Sequence, residues 1–374
     1  MNSGLEVHSI YTDFSKAFDL VNHNILISKL LYYGVRGKAL EWLKSYLTGR
    51  KLQVRVNGHI SNEYEATSGV PQGSHLGPLL FNIFINDIGL NFKSEYLLYA
   101  DDLKIYTKIS SELDVINLQE DIMKLNIWCS NNNLKLNTKK CAAITFSKSH
   151  NPRPHIYKLG HREIDEVSAI KDLGVLIDNK LCFTKHIELI TLKAYRSLSF
   201  ILRSSRDFHR LETIYHLYAS LIRPVLEYCS VVWSPCTEQL IHRLHKVEVK
   251  LEKYMTYFKD SRKIDENIFD FIMTKCKNNS LIARRRAADL LFFHKIVNGM
   301  IESPELLRQL DFVVPRQGLR SSRIVNSTKS TKNYVHNSPL NRLAKKANEH
   351  CQTLNFFEYK QTSFSASLRK TMLS

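Results

Sequence analysis

Apolar and polar positions change their rhythm along this chain. In the first part, short apolar runs alternate with turn-forming clusters. Val7 to Tyr11, the alternating run 52–56, the run Leu97-Leu98-Tyr99, and the runs 103–106 and 141–146 all read as strands. Helical spacing falls between them. Asn22 opens a pattern with Ile25, Leu26, Leu30 and Leu31 on one face, and residues 39–47 and 113–128 read as further helices. Strands and helices mix without a regular βαβ repeat, which predicts an α+β fold with a largely antiparallel sheet. Near residue 180 the strand pattern stops, and residues 187–202, 211–221, 240–257 and 281–297 are helical by periodicity. Beyond Pro304 the chain is rich in Ser, Asn, Lys and Arg, notably over RQGLRSSRIVNSTKSTKN (316–333). That stretch reads as a mobile basic tail, with one more short helix expected within 340–357.

Polar residues interrupt this pattern at a telling place. In LLYADDLKIY (97–106), Asp101 and Asp102 fall at the turn between two apolar runs, whose flanks are expected to be buried. Adjacent carboxylates raise one another's pKa unless a cation neutralises them, and a hard divalent ion with oxygen ligands such as Mg²⁺ suits the task. An acidic surface turn is the other reading, because Asp is a common turn residue. A third acid, Asp13, ends the strand that begins at Val7. If that strand pairs with the hairpin, three carboxylates gather around one or two metal ions. Two metals about 3.5–4 Å apart stabilise the attacking and leaving oxygens of phosphoryl or nucleotidyl transfer. Taken alone, Asp13 reads more readily as a helix or turn cap than as a metal ligand.

Between these elements runs SGVPQGSHLGPLLFNIFINDI (68–88), in which Gly69, Pro71, Gly73, Gly77 and Pro78 punctuate a loop before an apolar helix. Glycines ahead of a helix let a ligand approach the backbone, and a helix N-terminus favours phosphate. A glycine-rich turn before a buried helix is also an ordinary structural feature.

Together, YTDFSKAFD (11–19), SGVPQGSHLGPLLFNIFINDI and YADD (99–102) resemble the three palm motifs of the reverse transcriptases of non-LTR retrotransposons, the jockey-like elements most of all. The likeness continues through LKLNTKKC (134–141) and KDLGVLID (171–178). It implies an RNA-directed DNA polymerase with a palm over residues 1–180, a helical thumb over 181–300 and a basic, partly disordered region over 301–374. By position, the resemblance makes Asp13, Asp101 and Asp102 the catalytic and metal-binding triad for two Mg²⁺ ions, with Mn²⁺ as a possible substitute. It gives Phe18 the place of an aromatic ring that blocks a ribose 2′-hydroxyl, although a core Phe would fit the sequence as well. Gln72 and Gly73 match the loop against the incoming nucleotide. Lys140 matches a basic residue near the triphosphate, with Lys139 an ambiguous neighbour and a solvated lysine the alternative. Leu173, Gly174 and Val175 match the turn that grips the primer end. The implied partners are an RNA template, a DNA primer and target, and deoxynucleoside triphosphates. The family's fingers and endonuclease lie upstream of the first motif and are missing from this sequence. A shortened copy of an element, or a sequence that covers only part of a longer one, is therefore expected.

Charge changes the picture further. The 374 residues carry a formal charge of +17, unevenly placed. Residues 1–150 hold 16 basic and 14 acidic side chains, and residues 151–374 hold 37 and 22. A near-neutral part with an acidic site, followed by a strongly basic part, suits a protein that tracks a phosphate backbone. Arg196, Arg203, Arg206, Arg210, His242, Arg243 and Lys246 are candidates for that face. In RPVLEYCSVVWSP (223–235), Tyr228 and Trp233 read either as packing or as stacking on bases. The seven cysteines form no C-x-x-C pair, and Cys229, Cys236, His242 and His245 lack regular zinc spacing. Scattered thiols, no apolar run of membrane-spanning length and no basic-then-apolar leader point to an intracellular protein, in nucleus or cytoplasm, neither secreted nor in a membrane. Two rivals stay open: a non-catalytic nucleic-acid-binding remnant, and a metal-dependent nuclease. The nucleotide-pocket pattern at Phe18, Gln72, Gly73 and Lys140 argues against the second.

Overall fold

Among the residues that this computed structural model describes (6–149, 155–313, 323–327, 335 and 337–372), five strands build one central sheet. They are β1 (Glu6–Thr12), β2 (Glu95–Tyr99), β3 (Asp102–Ile109), β4 (Ala142–Phe146) and β5 (Asp165–Glu166), in the order β5-β4-β1-β3-β2. Every pairing is antiparallel except that of the short β5 with β4. The largely antiparallel α+β expectation agrees with this sheet. Period-two alternation sets its register. Ile10 stands opposite Ile105 on one side and Ala143 on the other, so all three reach the same face.

That face is covered by α1 (His23–Tyr32), α3 (Leu76–Ile85) and α4 (Glu112–Asn131); α2 (Gly37–Leu47) packs on α1. Leu26 and Leu30, Leu80, Phe81 and Phe84, and Leu118, Ile122 and Leu125 supply the helical side of the core. Local sequence fixes where the helices start. The Asn22 side chain accepts the Ile25 N–H at 3.1 Å and caps α1. Ser111 and Asp114 form a capping box at α4, where Ser110 and Ser111 N–H groups hold the Asp114 carboxyl below its ordinary pKa.

Two sequence expectations are corrected here. The run 52–56 is not one strand. Lys51–Leu52 pairs with Tyr64–Glu65, and Arg55–Val56 pairs with His59–Ile60 through a tight turn at Asn57 (φ 49°) and Gly58 (φ 85°). The strand residues are exposed, so the alternation had no core face to satisfy, and the Asn-Gly turn dictates the pairing instead. The apolar flank of β2 is also not buried: Leu97 is 54% and Tyr99 68% exposed, because β2 is an edge strand.

The chain divides into two compact units, one formed by the residues up to Asp172 with Ile177–Leu181, the other by Leu173–Leu176 with Cys182 onwards. The second is helical. Its α5 (Thr184–Ser204) packs along the long α9 (Glu238–Arg262), with α6 (Leu211–Leu217), a π-helical turn (Tyr218–Ile222), α7 (Arg223–Glu227) and α8 (Ser230–Trp233) between them in sequence. Trp233 is buried and its indole N–H donates to Tyr228 O at 2.7 Å, so this ring packs. After α10 (Glu266–Asn278) comes α11 (Leu281–Val297), then α12 (Pro304–Arg308), α13 (Pro339–His350) and α14 (Gln361–Met372). Leu290, Phe293 and Ile296 of α11 share a core with Leu343, Ala347, Phe356 and Phe364. Most of the stretch read as a mobile tail, 316–333, lies outside the described residues. Its described part, 323–327, is packed: Val325 is buried, bridges to Phe312 and receives a bond from the Asn348 side chain. Among the described residues no helix is long and apolar enough to cross a membrane.

Candidate active site

The site begins with a register. β1 pairs with β3 down to Thr12 opposite Leu103, and Thr12 Oγ1 donates to Leu103 O at 3.1 Å. Asp13 directly follows Thr12 and Asp102 directly precedes Leu103, so both lie at the same end of the sheet. Tyr99 pairs with Asp102, which leaves Ala100 and Asp101 as the turn. Ala100 has φ 52°, a left-handed conformation that costs an L-residue with a Cβ roughly 1–2 kcal/mol. Strain is therefore held at the hairpin tip, beside the acids.

A second segment is laid along Asp13. Its carbonyl accepts the Asn137 N–H at 2.7 Å, Phe14 bridges to Leu136, and Ser15 N–H donates to Lys135 O at 2.8 Å. This path brings Lys140 Nζ to 3.4 Å from Asp13 Oδ2. The lysine side chain is 66% exposed, so the pair contributes about 0–1 kcal/mol and is easily exchanged for another partner.

Asp102 shows what the cluster does electrostatically. Its pKa is raised, first by partial burial, then by the negative charges of Asp101, Asp172 and Asp13, with Lys104 opposing. Among the described residues no three His, Cys, Asp or Glu side chains stand in metal-holding geometry. The donor chemistry nevertheless fits a hard divalent cation. Carboxylate oxygens are its preferred ligands, and the repulsion recorded at Asp102 is what such a charge relieves.

The glycine-rich loop is stitched to the segment that follows Asp13. Gly69 N–H donates to Val21 O at 2.8 Å, Val70 N–H to Phe18 O at 2.9 Å, and Ser68 Oγ to Asp19 O at 2.8 Å. His23 and Arg50 both donate to the Gly69 carbonyl. A Cβ on Gly69 would lie 2.8 Å from Asp19 O, at φ 86°, so the join requires glycine. Gln72 is exposed, and its amide donates to Asp19 Oδ1 at 2.7 Å. Gly73 is exposed at φ 76° with open space around it. Phe18 is half-buried and stacks on Phe81 of α3, with ring centroids 4.3 Å apart.

The structure thus brings Asp13, Asp101, Asp102 and Lys140 into one electrostatic cluster, and joins the Phe18 segment to the Gln72–Gly73 loop. The turn Leu173-Gly174-Val175 belongs to the second unit. Leu173 (φ 42°) and Gly174 (φ 88°) are both left-handed, as in a type I′ turn. Tyr228 OH donates to Leu173 O at 2.9 Å, and its ring would lie 3.2 Å from a Cβ on Gly174. Val175 is buried.

Sequence reasoning missed four residues. Lys104 and Asp172 form a direct ion pair, Tyr11 OH donates to Asp172 Oδ2 at 3.3 Å, and Asp19 holds Gln72. The signal for Lys104 was available: it lies two residues after Asp102, with Leu103 and Ile105 between and beyond it in the core. Asp172 had none, since its contact spans 68 residues. Among the basic candidates of the helical unit, Arg196, Arg203, Arg206, Arg210, His242 and Lys246 are exposed, whereas Arg243 pairs with Glu188. Arg284 makes two bonds to the Glu227 carboxylate, and Arg285 is buried, so both are structural.

Comparison with known proteins agrees with the motifs. Residues 2–177 match the family model described as reverse transcriptase (RNA-dependent DNA polymerase). The chain is 30% identical over 263 residues to a probable RNA-directed DNA polymerase from transposon X-element of Drosophila melanogaster, covering 67% of this chain and 28% of that protein. It is 30% identical over 260 residues to the RNA-directed DNA polymerase from mobile element jockey of the same species, covering 64% and 27%. The chain therefore spans less than a third of the length of these curated relatives. Among solved structures, a telomerase from Candida tropicalis is similar at 13% identity and a TM-score of 0.37, over 75% of this chain and 47% of that one. Residues 2–177, which carry the acidic hairpin and the glycine-rich loop before α3, are the part of the chain that matches the reverse transcriptase family.

Proposed function

We propose that this chain is the polymerase part of a non-LTR retrotransposon protein and extends a DNA primer on an RNA template, with the sheet unit as palm and the helical unit as thumb. The observation that supports this most is the strand register ending at Thr12 and Leu103, one residue before Asp13 and Asp102. Asp13, Asp101 and Asp102 would hold two Mg²⁺ ions, or Mn²⁺ in their place. When bound, those ions lower the pKa of the primer 3′-hydroxyl and stabilise the leaving pyrophosphate.

The remaining roles fall to the chain's own residues. Lys140 moves from Asp13 to the triphosphate, where its ammonium neutralises or protonates the leaving group. The Phe18 ring, backed by Phe81, lies under the sugar and excludes a 2′-hydroxyl by clash. Gln72, steadied by Asp19, and the open backbone at Gly73 meet the incoming nucleotide. Leu173, Gly174 and Val175 hold the primer end, since a turn without a Cβ at Gly174 lets a strand approach closely. The exposed Arg196 and Arg203 of α5 and Lys246 of α9 track phosphates. Template RNA, primer and target DNA and deoxynucleoside triphosphates are the partners, met inside the cell in nucleus or cytoplasm.

The test is primer extension on a defined RNA template with Mg²⁺, using wild type and Asp101→Asn. Extension by wild type that falls roughly a thousandfold or more in the variant supports the reading. Equal extension by both removes Asp101 from the chemistry. A second reading, binding of nucleic acid without synthesis, is favoured by the excess of 37 basic over 22 acidic residues in 151–374. Salt-dependent binding without any extension selects it.

A further inference from the structure

We infer that Asp172 is a positioning residue, which holds the Lys104 ammonium away from the acidic hairpin and so keeps Asp102 open to a divalent cation. The inference rests on the polymerase reading above. Lys104 lies on β3 two residues from Asp102, on the face opposite Leu103 and Ile105. Its side chain is only 15% exposed, and that of its partner Asp172 only 12%. Two opposite charges so enclosed serve each other as partners, and removing one leaves the other to find a new one.

One neighbour fixes the pair through two contacts. Tyr11, opposite Lys104 in the register, donates its hydroxyl to Asp172 Oδ2 at 3.3 Å, and the ammonium stands 5.6 Å from the centre of the Tyr11 ring. Tyr11 is itself two residues from Asp13, so the three residues form a brace on the strands that carry the acids. The charges of both Lys104 and Asp172 reach Asp102. With Asp172 neutralised, Asp102, two residues along the same strand face and already within reach of the Lys104 charge, is a carboxylate that the flexible four-carbon ammonium can turn to. Lys140 already stands on Asp13. A second lysine on Asp102 would leave the cation competing with two tethered positive charges.

The experiment measures Mn²⁺ binding to the full chain by the electron paramagnetic resonance signal of free Mn²⁺. It compares wild type, Asp172→Asn, Lys104→Met and the double variant, with circular dichroism melts to establish folding. Loss of a supporting partner around a metal site typically weakens affinity by about tenfold or more. That loss is expected for Asp172→Asn, with near wild-type affinity restored in the double variant. Restoration is the decisive result, because a merely structural role of Asp172 would not be repaired by removing a second side chain. Equal affinity in wild type and Asp172→Asn overturns the inference alone, as does a double variant that stays weak. Absence of Mn²⁺ binding by wild type overturns the polymerase-site reading and this inference with it. Should Asp172→Asn fail to fold, Lys104→Met carries the test, and weaker binding by that folded variant overturns the inference.

Discussion

The Gln72 side-chain amide donates to the Asp19 carboxylate at 2.7 Å, tying the tip of the glycine-rich loop to the segment that follows Asp13. Around it, Ser68, Gly69 and Val70 bond to the backbone of residues 18–21. Two motifs separated by some fifty residues are thereby one structural piece, and Asp19 is its fastener rather than a bystander between Asp13 and α1. A bond from a neutral amide to a carboxylate is strong, but both groups here are exposed and screened. Replacing Asp19 with Ala should cost about 1 kcal/mol of nucleotide positioning, or roughly fivefold in kcat/KM. Steady-state extension against deoxynucleotide concentration reads this, with most of the change expected in KM. A thousandfold fall in kcat would mean that Asp19 acts on the reacting atoms.

On the polymerase reading, Asp102→Asn should move activity and stability in opposite directions. The folded-state pKa of Asp102 lies above that of a free carboxyl, so the folded protein binds more protons than the unfolded chain as pH rises through the carboxylate range. Stability contributed by this group is therefore highest in acid and is lost as pH rises through the raised pKa. Asp102→Asn removes that loss. The variant should melt at a higher temperature than wild type near neutral pH without divalent ions, and the two should converge in acid. Polymerisation should fall by roughly a thousandfold or more. Thermal melts at both pH values check the first part, and added Mg²⁺ should raise the melting temperature of wild type more than that of the variant.

Much of this site was legible in the sequence, for identifiable reasons. Val7 to Tyr11 and the runs about Asp101 alternate because one face of each strand meets a core, and alternation fixes register, so the shared end of the two strands followed. Lys104 could have been found by the same counting from Asp102. Asp172 could not, because its position beside β3 depends on how the chain returns after β4. Exposure hid other features. The run 52–56 alternates without any buried face, and only Asn57-Gly58 betrayed the turn. The apolar flank 97–99 belongs to an edge strand, and apolar residues at an edge look the same in sequence as apolar residues in a core.

Phe18 meets two requirements at once. Its ring stacks on Phe81 at 4.3 Å and is half-buried, so the inner side packs while the rest is accessible. Phe18→Val should lose packing worth about 1–2 kcal/mol of stability and also open space beside the ring. If that space is where a ribose 2′-oxygen would go, the ratio of ribonucleotide to deoxynucleotide incorporation rises by tenfold or more. Competing both nucleotide classes on one primer measures the ratio, and a melt measures the packing loss. A lower melting temperature with an unchanged ratio confines Phe18 to packing under α3.

The basic residues of the helical unit divide into two kinds that salt should separate. Arg196, Arg203 and Lys246 are exposed on α5 and α9, whereas Arg284 is committed to Glu227 through two bonds. A side chain that contacts a phosphate releases counterions on binding, so its removal lowers the slope of log affinity against log salt by about one. Arg196→Ala, Arg203→Ala and Lys246→Ala should each flatten the slope for an RNA–DNA duplex and leave the melting temperature almost unchanged. Arg284→Ala should do the reverse. It removes two bonds and leaves the half-buried Glu227 carboxylate with Arg223 alone, which costs about 1.5–3 kcal/mol of stability, and leaves the slope as it was. A salt titration of duplex binding, run beside a thermal melt on the same preparations, distinguishes the two. A slope that drops for Arg284→Ala and not for the α5 variants would move the nucleic-acid face from α5 and α9 to the surface around α7 and α11.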